Sequence, residues 1–111
     1  DFVRKIQKAK DMKGGFRYLH IFSPCPTGWK YEPKKSIEIA RTAVKTNFFP
    51  LFEVEEGKFT INLNIKNPEP VSALLGSMKK FSHICSEDAQ EIQNRVDDKI
   101  KLLRTLAENK C

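Results

Sequence analysis

Residues 16–29 read FRYLHIFSPCPTGW, and the fold turns on how they are read. Phe16, Tyr18, Leu19, Ile21 and Phe22 form an apolar and aromatic run interrupted only by Arg17 and His20. A short run of this kind, rich in β-formers and bounded by Gly14-Gly15 and Pro24, argues for a strand covered on both faces. The strand cannot continue far past Phe22. Pro24 and Pro26 lack the N–H that a ladder needs, and each fixes its own φ. Each also drives the residue ahead of it, Ser23 and Cys25, out of the helical region. Gly28 lets the chain turn, and Trp29 folds back as a packing lid rather than a stacking platform. The Cys25 thiol is thereby held on a stiff loop at the strand's C-terminal edge, where open α/β sheets bind ligands.

Upstream, DFVRKIQKAKDMK (residues 1–13) carries Phe2, Ile6 and Ala9, with Met12 or Lys13 next, at spacings of four and three. That is an amphipathic helix with a basic outer face, ended by Gly14-Gly15. Helix, Gly-Gly and buried strand make the second half of a βαβ unit whose first strand is not in the sequence. Together with an Asp rather than a Met at position 1, this gives the expectation of a piece of something longer, or of an obligatory partner.

Downstream, Glu32-Pro33 opens a second helix. Ile37, Ala40 and Val44 line its apolar face, Ile39 and Ala43 run alongside, and Asn47 stops it. Phe48-Phe49-Pro50 is a hydrophobic elbow. Residues 51–54 and 59–65, joined by Glu55-Glu56-Gly57-Lys58, read as a hairpin with Phe59, Ile61, Leu63 and Ile65 on one face and water on the other. Asn67-Pro68-Glu69-Pro70 is a linker, residues 71–81 are a short helical segment weakened by Gly76, and residues 82–85 connect. In the last helix Ala89, Ile92, Val96, Ile100, Leu103 and Ala107 form one stripe, with Glu87 and Asp88 at the positive end of its dipole. The fold class is therefore α/β: helix, buried strand and cysteine loop, then a helix, a β-hairpin and a long C-terminal helix.

At 111 residues the chain is at most one domain. Charged residues make up 31% and hydrophobic ones 40%, so a packed core is expected and disorder is not. The net charge of +6 favours anionic partners, but the basic residues are spread out. The densest cluster, Arg4, Lys5, Lys8, Lys10 and Lys13, reads as a solvated helix face rather than a nucleic-acid footprint. Three cysteines with wide spacing suit a reducing cytoplasm better than a disulfide scaffold. No apolar run approaches the roughly 20 residues of a membrane span.

Only Cys25 carries a candidate chemistry. It belongs to no CxxC, and neither His20 nor His83 lies at metal-ligand spacing to it. An iron–sulfur cluster takes four thiolates, so this chain cannot complete one alone. Cys25 either supplies one ligand, for which a rigid Cys-Pro turn is suited, or is a plain buried turn cysteine. The residues by themselves leave both open. Cys85 reads as a small core residue, Cys111 as terminal and solvated, and His20 as a satisfied structural histidine. No catalytic residue is assigned, for there is no phosphate loop, carboxylate pair or Ser-His-Asp constellation.

SPCPTGW, preceded by YLHIF and followed by KKSIEIARTAV, FFPLFEVEEGKF and LGSMKKFSHI, resembles the C-terminal third of the β subunit of 2-oxoacid:ferredoxin oxidoreductases, with pyruvate synthase (pyruvate:ferredoxin oxidoreductase) the nearest member. The resemblance covers nearly the whole chain. It implies a subunit that binds thiamine diphosphate, Mg²⁺ and a [4Fe–4S] cluster. It implies oxidative decarboxylation of a 2-oxoacid, with coenzyme A, to an acyl-CoA and carbon dioxide, and electrons passed to ferredoxin. The motif cysteine matches Cys25, one of four cluster ligands. The other three, the Mg²⁺ ligands and the diphosphate site belong to the missing two-thirds. On the same basis residues 1–31 would end the thiamine-diphosphate domain and residues 32–111 form a C-terminal extension. The partners implied are the α subunit, and γ and δ where these are separate, in the cytoplasm, without nucleic acid or membrane. This segment alone would be inactive. A different class of protein remains as the alternative: a small basic α/β interaction or nucleic-acid-binding module with a structural cysteine.

Overall fold

The computed structural model describes residues 1–108, and its longest element is the final helix, α5, Ser86–Glu108. Before it come α1 (Phe2–Asp11), a single turn α2 (Pro26–Trp29), α3 (Ser36–Lys45), strands β1 (Phe52–Glu55) and β2 (Lys58–Ile61), and the short helix α4 (Val71–Leu75). Turns of 3₁₀-helix at Pro33–Lys35 and Lys79–Phe81 lead into α3 and follow α4.

The core is built around α4. Its Leu74 packs with Ile39, Ala43 and Met78, against which Phe22, Trp29, Tyr31, Phe49 and Phe81 lean. Its Val71 and Leu75 pack with Val96 of α5, joined by Ala89 and Ile92. The α4 N-terminus, which follows Pro70, is satisfied from across the core: the Val71 N–H donates to Gln93 Oε1 at 2.7 Å. The α5 stripe is buried as its spacing predicts, with Val96, Ile100 and Leu103 inside. On α3 the spacing gave two adjacent stripes, and the structure buries the second. Ile39 is 1% exposed whereas Ile37 is 69% exposed. The choice is made by α4, which can come close where Ala43 offers almost no side chain, and the same stripe continues into buried Thr46 and Asn47.

The hairpin forms with the register Phe52↔Ile61 and Val54↔Phe59, closed by Glu56 and Gly57 at φ 51° and 79°. Two consecutive positive φ values are the primed turn whose twist matches the strands. Strand β2 packs on α5, and Arg104 of that helix donates to the Ile65 carbonyl at 3.0 Å. The opposite face, expected to be wet, carries Glu53 and Glu55 and receives α1. Lys8 lies 3.2 Å from Glu53 and 2.9 Å from Glu55, and Arg4 3.4 Å from Glu53. The basic cluster of α1 is thus partly neutralised by the hairpin rather than simply solvated. Hydrogen bonds to Glu55 and Glu53 hold the Lys8 ammonium above its ordinary value. Burial pushes the Glu53 carboxyl up, but the Lys8 hydrogen bond and the Arg4 charge outweigh it and hold the group below its ordinary value. Burial lowers Lys5, with Glu53 opposing.

The buried strand expected at residues 16–22 does not form. The described residues contain one sheet, β1–β2, and neither strand pairs with this segment. Phe16 is 88% exposed and Tyr18 74%, with Leu19 and Ile21 also outside. The cause is the lack of a neighbour, since a strand is stabilised only by the ladder and the faces that others supply. A mixed α and β chain is therefore observed, without the central parallel strand. The molecule is correspondingly open. Its radius of gyration is 15.9 Å, against about 13 Å for a compact chain of this length.

Two outcomes follow from this packing. Ile100→Ala should lower unfolding stability by about 2–4 kcal/mol, and Ile37→Ala by less than about 0.5 kcal/mol, in urea titrations. The α1 contact should be sensitive to pH and salt. Glu53, with its lowered value, contributes above its ordinary 4.5, and that contribution is lost as the pH falls through the lowered value. Lys8, with its raised value, contributes below its ordinary 10.5 and fails as the pH rises past the raised one. Amide exchange in α1 should quicken on acidification below about pH 4.5 and in molar salt, and Glu53→Gln should abolish the acid step.

Candidate functional site

Cys25 stands at the head of α2. Its backbone is extended (φ −121°, ψ 104°), as a residue before proline must be, and Pro26 opens the helical turn at the position that needs no donor. The Cys25 carbonyl accepts from the Trp29 N–H at 2.9 Å, and its Sγ accepts from the Gly28 N–H at 3.3 Å. The thiol therefore does the work that Ser or Asp does at other helix starts. A side chain at Gly28 would crowd it: an added Cβ would lie 3.3 Å from Sγ. The turn closes with Lys30 in the left-handed region (φ 54°), whose carbonyl accepts from the Lys79 N–H at 3.0 Å.

Aromatic side chains anchor this loop to the core. Phe22 lies 5.5 Å from Trp29 and 5.1 Å from Phe49 between ring centroids, and Trp29 is half-buried as the packing lid expected of it. Cys25 itself is exposed. It is a turn cysteine, but neither a buried one nor at the end of a strand. His20 is exposed too, its ring edge against Phe49 at 5.2 Å, because the strand that was to bury it is absent. Cys85 is the other correction. It is exposed, and its S–H donates to Asp88 Oδ2 at 3.2 Å near the start of α5, outside the core built by Val96 and Leu75. Cys111 lies outside the described residues. Sequence reasoning missed the Gly28 donor, although a cap residue, Pro and a Gly three places on are the spacing of a helix start.

Chemically, the turn offers one accessible sulfur with a main-chain N–H on it. No group of three or more His, Cys, Asp or Glu side chains able to hold a metal occurs among the described residues. A cluster would fit here only as a shared one, with Cys25 as a single ligand and the other donors from elsewhere. The donor type and the N–H on the sulfur suit that role. No described helix is long and apolar enough to cross a membrane.

No family model matches the sequence. Several curated proteins do. Pyruvate synthase subunit PorB of Methanocaldococcus jannaschii is 43% identical over 103 residues, 93% of this chain and 34% of that protein. Ketoisovalerate oxidoreductase subunit VorB of Pyrococcus horikoshii is 43% identical over 110 residues, 97% of this chain and 35% of its own. The β subunit of NADH-dependent phenylglyoxylate dehydrogenase of Aromatoleum evansii is 34% identical over 111 residues, 98% and 25% respectively. The chain belongs to the family of 2-oxoacid:ferredoxin oxidoreductase β subunits. It spans about a third of the length of the PorB and VorB relatives it matches.

The thiol geometry is open to direct test. Iodoacetamide should alkylate both Cys25 and Cys85 in the native chain without denaturant, as read by peptide mass mapping. Gly28→Ala should slow the Cys25 reaction several-fold through crowding at Sγ, with Cys85 unchanged.

Proposed function

We propose that this chain is the part of a 2-oxoacid:ferredoxin oxidoreductase β subunit that supplies one thiolate, Cys25, to a [4Fe–4S] cluster. The observation that carries the reading is the exposed Cys25 sulfur, fixed by Pro26 and hydrogen-bonded by Gly28, in a chain of which 93% aligns with a pyruvate synthase subunit. Residues 1–31 close the thiamine-diphosphate domain and residues 32–111 form the C-terminal extension.

The reaction of the whole enzyme is oxidative decarboxylation of a 2-oxoacid, with coenzyme A, to an acyl-CoA and carbon dioxide. Bound in the whole subunit, thiamine diphosphate with Mg²⁺ would supply an electron sink for decarboxylation, and a cluster held in part by Cys25 would supply electron-carrying chemistry towards ferredoxin. The contribution of this chain is positional. Phe22, Trp29 and Phe49 hold the turn, Pro24 and Pro26 stiffen it, and the Gly28 N–H stabilises negative charge on the sulfur. Pyruvate is the substrate we assign. Proteins named for pyruvate, ketoisovalerate and phenylglyoxylate all share this region, so its residues support the reaction type more than the side chain of the acid. The remaining subunits of the complex are the expected partners, in the cytoplasm. The alternative of a nucleic-acid-binding module is disfavoured by the pairing of Arg4, Lys5 and Lys8 with Asp1, Glu53 and Glu55.

In the intact oxidoreductase, Cys25→Ser should remove one [4Fe–4S] signal from the electron paramagnetic resonance spectrum. It should also cut ferredoxin reduction at least about tenfold while thiamine diphosphate still binds. An unchanged set of cluster signals would take Cys25 out of the ligand set.

A further inference from the structure

The basic residues are scattered in the sequence, but the fold gathers five lysines beside Cys25. Lys30 closes the α2 turn that Cys25 opens, and its carbonyl accepts from the Lys79 N–H at 3.0 Å. That bond sets the 3₁₀ turn Lys79–Phe81, with Lys79 and Lys80, against the cysteine turn. Lys34 and Lys35 stand in the 3₁₀ turn Pro33–Lys35, just beyond Tyr31, whose N–H donates to the Pro26 carbonyl at 3.2 Å. All five lysines are exposed, and so is Cys25.

Their charge is not cancelled within the molecule. Among the described residues only Lys34 of the five has a carboxylate partner, Glu32 at 3.1 Å, and that pair stands in solvent. Lys30, Lys35, Lys79 and Lys80 form no ion pair among them. The opposite holds on α1, where Arg4, Lys5 and Lys8 all face carboxylates. Most acidic residues lie elsewhere, on the hairpin at Glu53, Glu55 and Glu56 and along α5 from Glu87 to Asp98.

We propose that Lys30, Lys35, Lys79 and Lys80 form the docking face for a soluble electron-carrier protein with an acidic surface. This rests on the reading of Cys25 as a cluster ligand, and it names where the acceptor meets this chain. The uncancelled positive charge selects an acidic partner. The partner is a visitor rather than a fixed subunit on two grounds. First, the patch is built of charged side chains, whereas permanent interfaces are apolar at their centre and poor in lysine. Second, a 2-oxoacid anion and coenzyme A give acyl-CoA, carbon dioxide, one proton and two electrons, so a one-electron carrier must arrive and leave twice in each turnover. Encounters of that kind are sped by long-range attraction and screened by salt.

The test uses the intact oxidoreductase and an acidic single-cluster ferredoxin. In the double variant Lys35→Glu, Lys80→Glu, the KM for ferredoxin should rise at least about tenfold at low ionic strength, and calorimetric titration should show the same loss of affinity without turnover. Reduction of a small dye should be unchanged. Lys101→Glu, at an exposed position of α5, should leave the ferredoxin KM unchanged too. Salt should raise the KM of the unmodified enzyme and move that of the variant much less. Where charge reversal upsets folding, the milder Lys80→Gln should still raise the KM about threefold. Unchanged ferredoxin affinity and salt dependence would overturn the proposal. Loss of another subunit from the purified variant would do so as well, because the patch would then be a fixed interface. Weakened docking in the lysine variant, with clusters that survive Cys25→Ser, would defeat the ligand assignment and leave this one standing. Lost cluster signals with unweakened docking would do the reverse.

Discussion

Val71 and Leu75 pack towards α5 while Leu74, between them in sequence, packs towards α3. One helix of five residues therefore joins the two buried clusters, and both long helices take their orientation from it. Its isolated helical preference is negligible at that length. What fixes it is burial on two sides and a main-chain donor satisfied by Gln93. Because the Cys25 turn leans on the first of these clusters through Phe22 and Trp29, the placement of the thiol also depends on Leu74, some fifty positions away in the chain.

The two ends of the molecule are held by different physics. Residues 32–108 contain the clusters and behave as a core with a hairpin attached. Residues 1–24 contribute no buried side chain and touch the rest through ion pairs and the flank of the aromatic group. Exposed pairs of this kind are weak and screened by salt.

Legibility divides along the same line. The α5 stripe could be read because helical periodicity is local and every turn repeats it, and the hairpin because Glu56-Gly57 announces its own turn. The stiff loop at Cys25 could be read from two prolines. Local pattern could not say whether residues 16–22 would be a strand, since pairing is a property of two segments and none of the described residues pairs with this one. Nor could it choose between Ile37 and Ile39, two positions apart on the same helix, because the choice belongs to α4. The α1 contact escaped because Lys8 and Glu53 are 45 positions apart, and no spacing rule links them. Cys85 was misplaced because its apolar neighbour Ile84 suggested a core, whereas Asp88 draws the thiol out to the helix start.

The donor on the Cys25 sulfur belongs to the peptide backbone, and this bears on how the site can vary. A hydrogen bond from a side chain can be deleted or strengthened by single substitutions; this one survives every replacement of residue 28 except proline, though a larger side chain would crowd the sulfur. Electron density on the sulfur is thus set by the shape of a four-residue turn. Adjustment would have to come from bending that turn, through the aromatic packing beneath it or the Lys30–Lys79 tie behind it, rather than from exchanging the residue that touches the thiol.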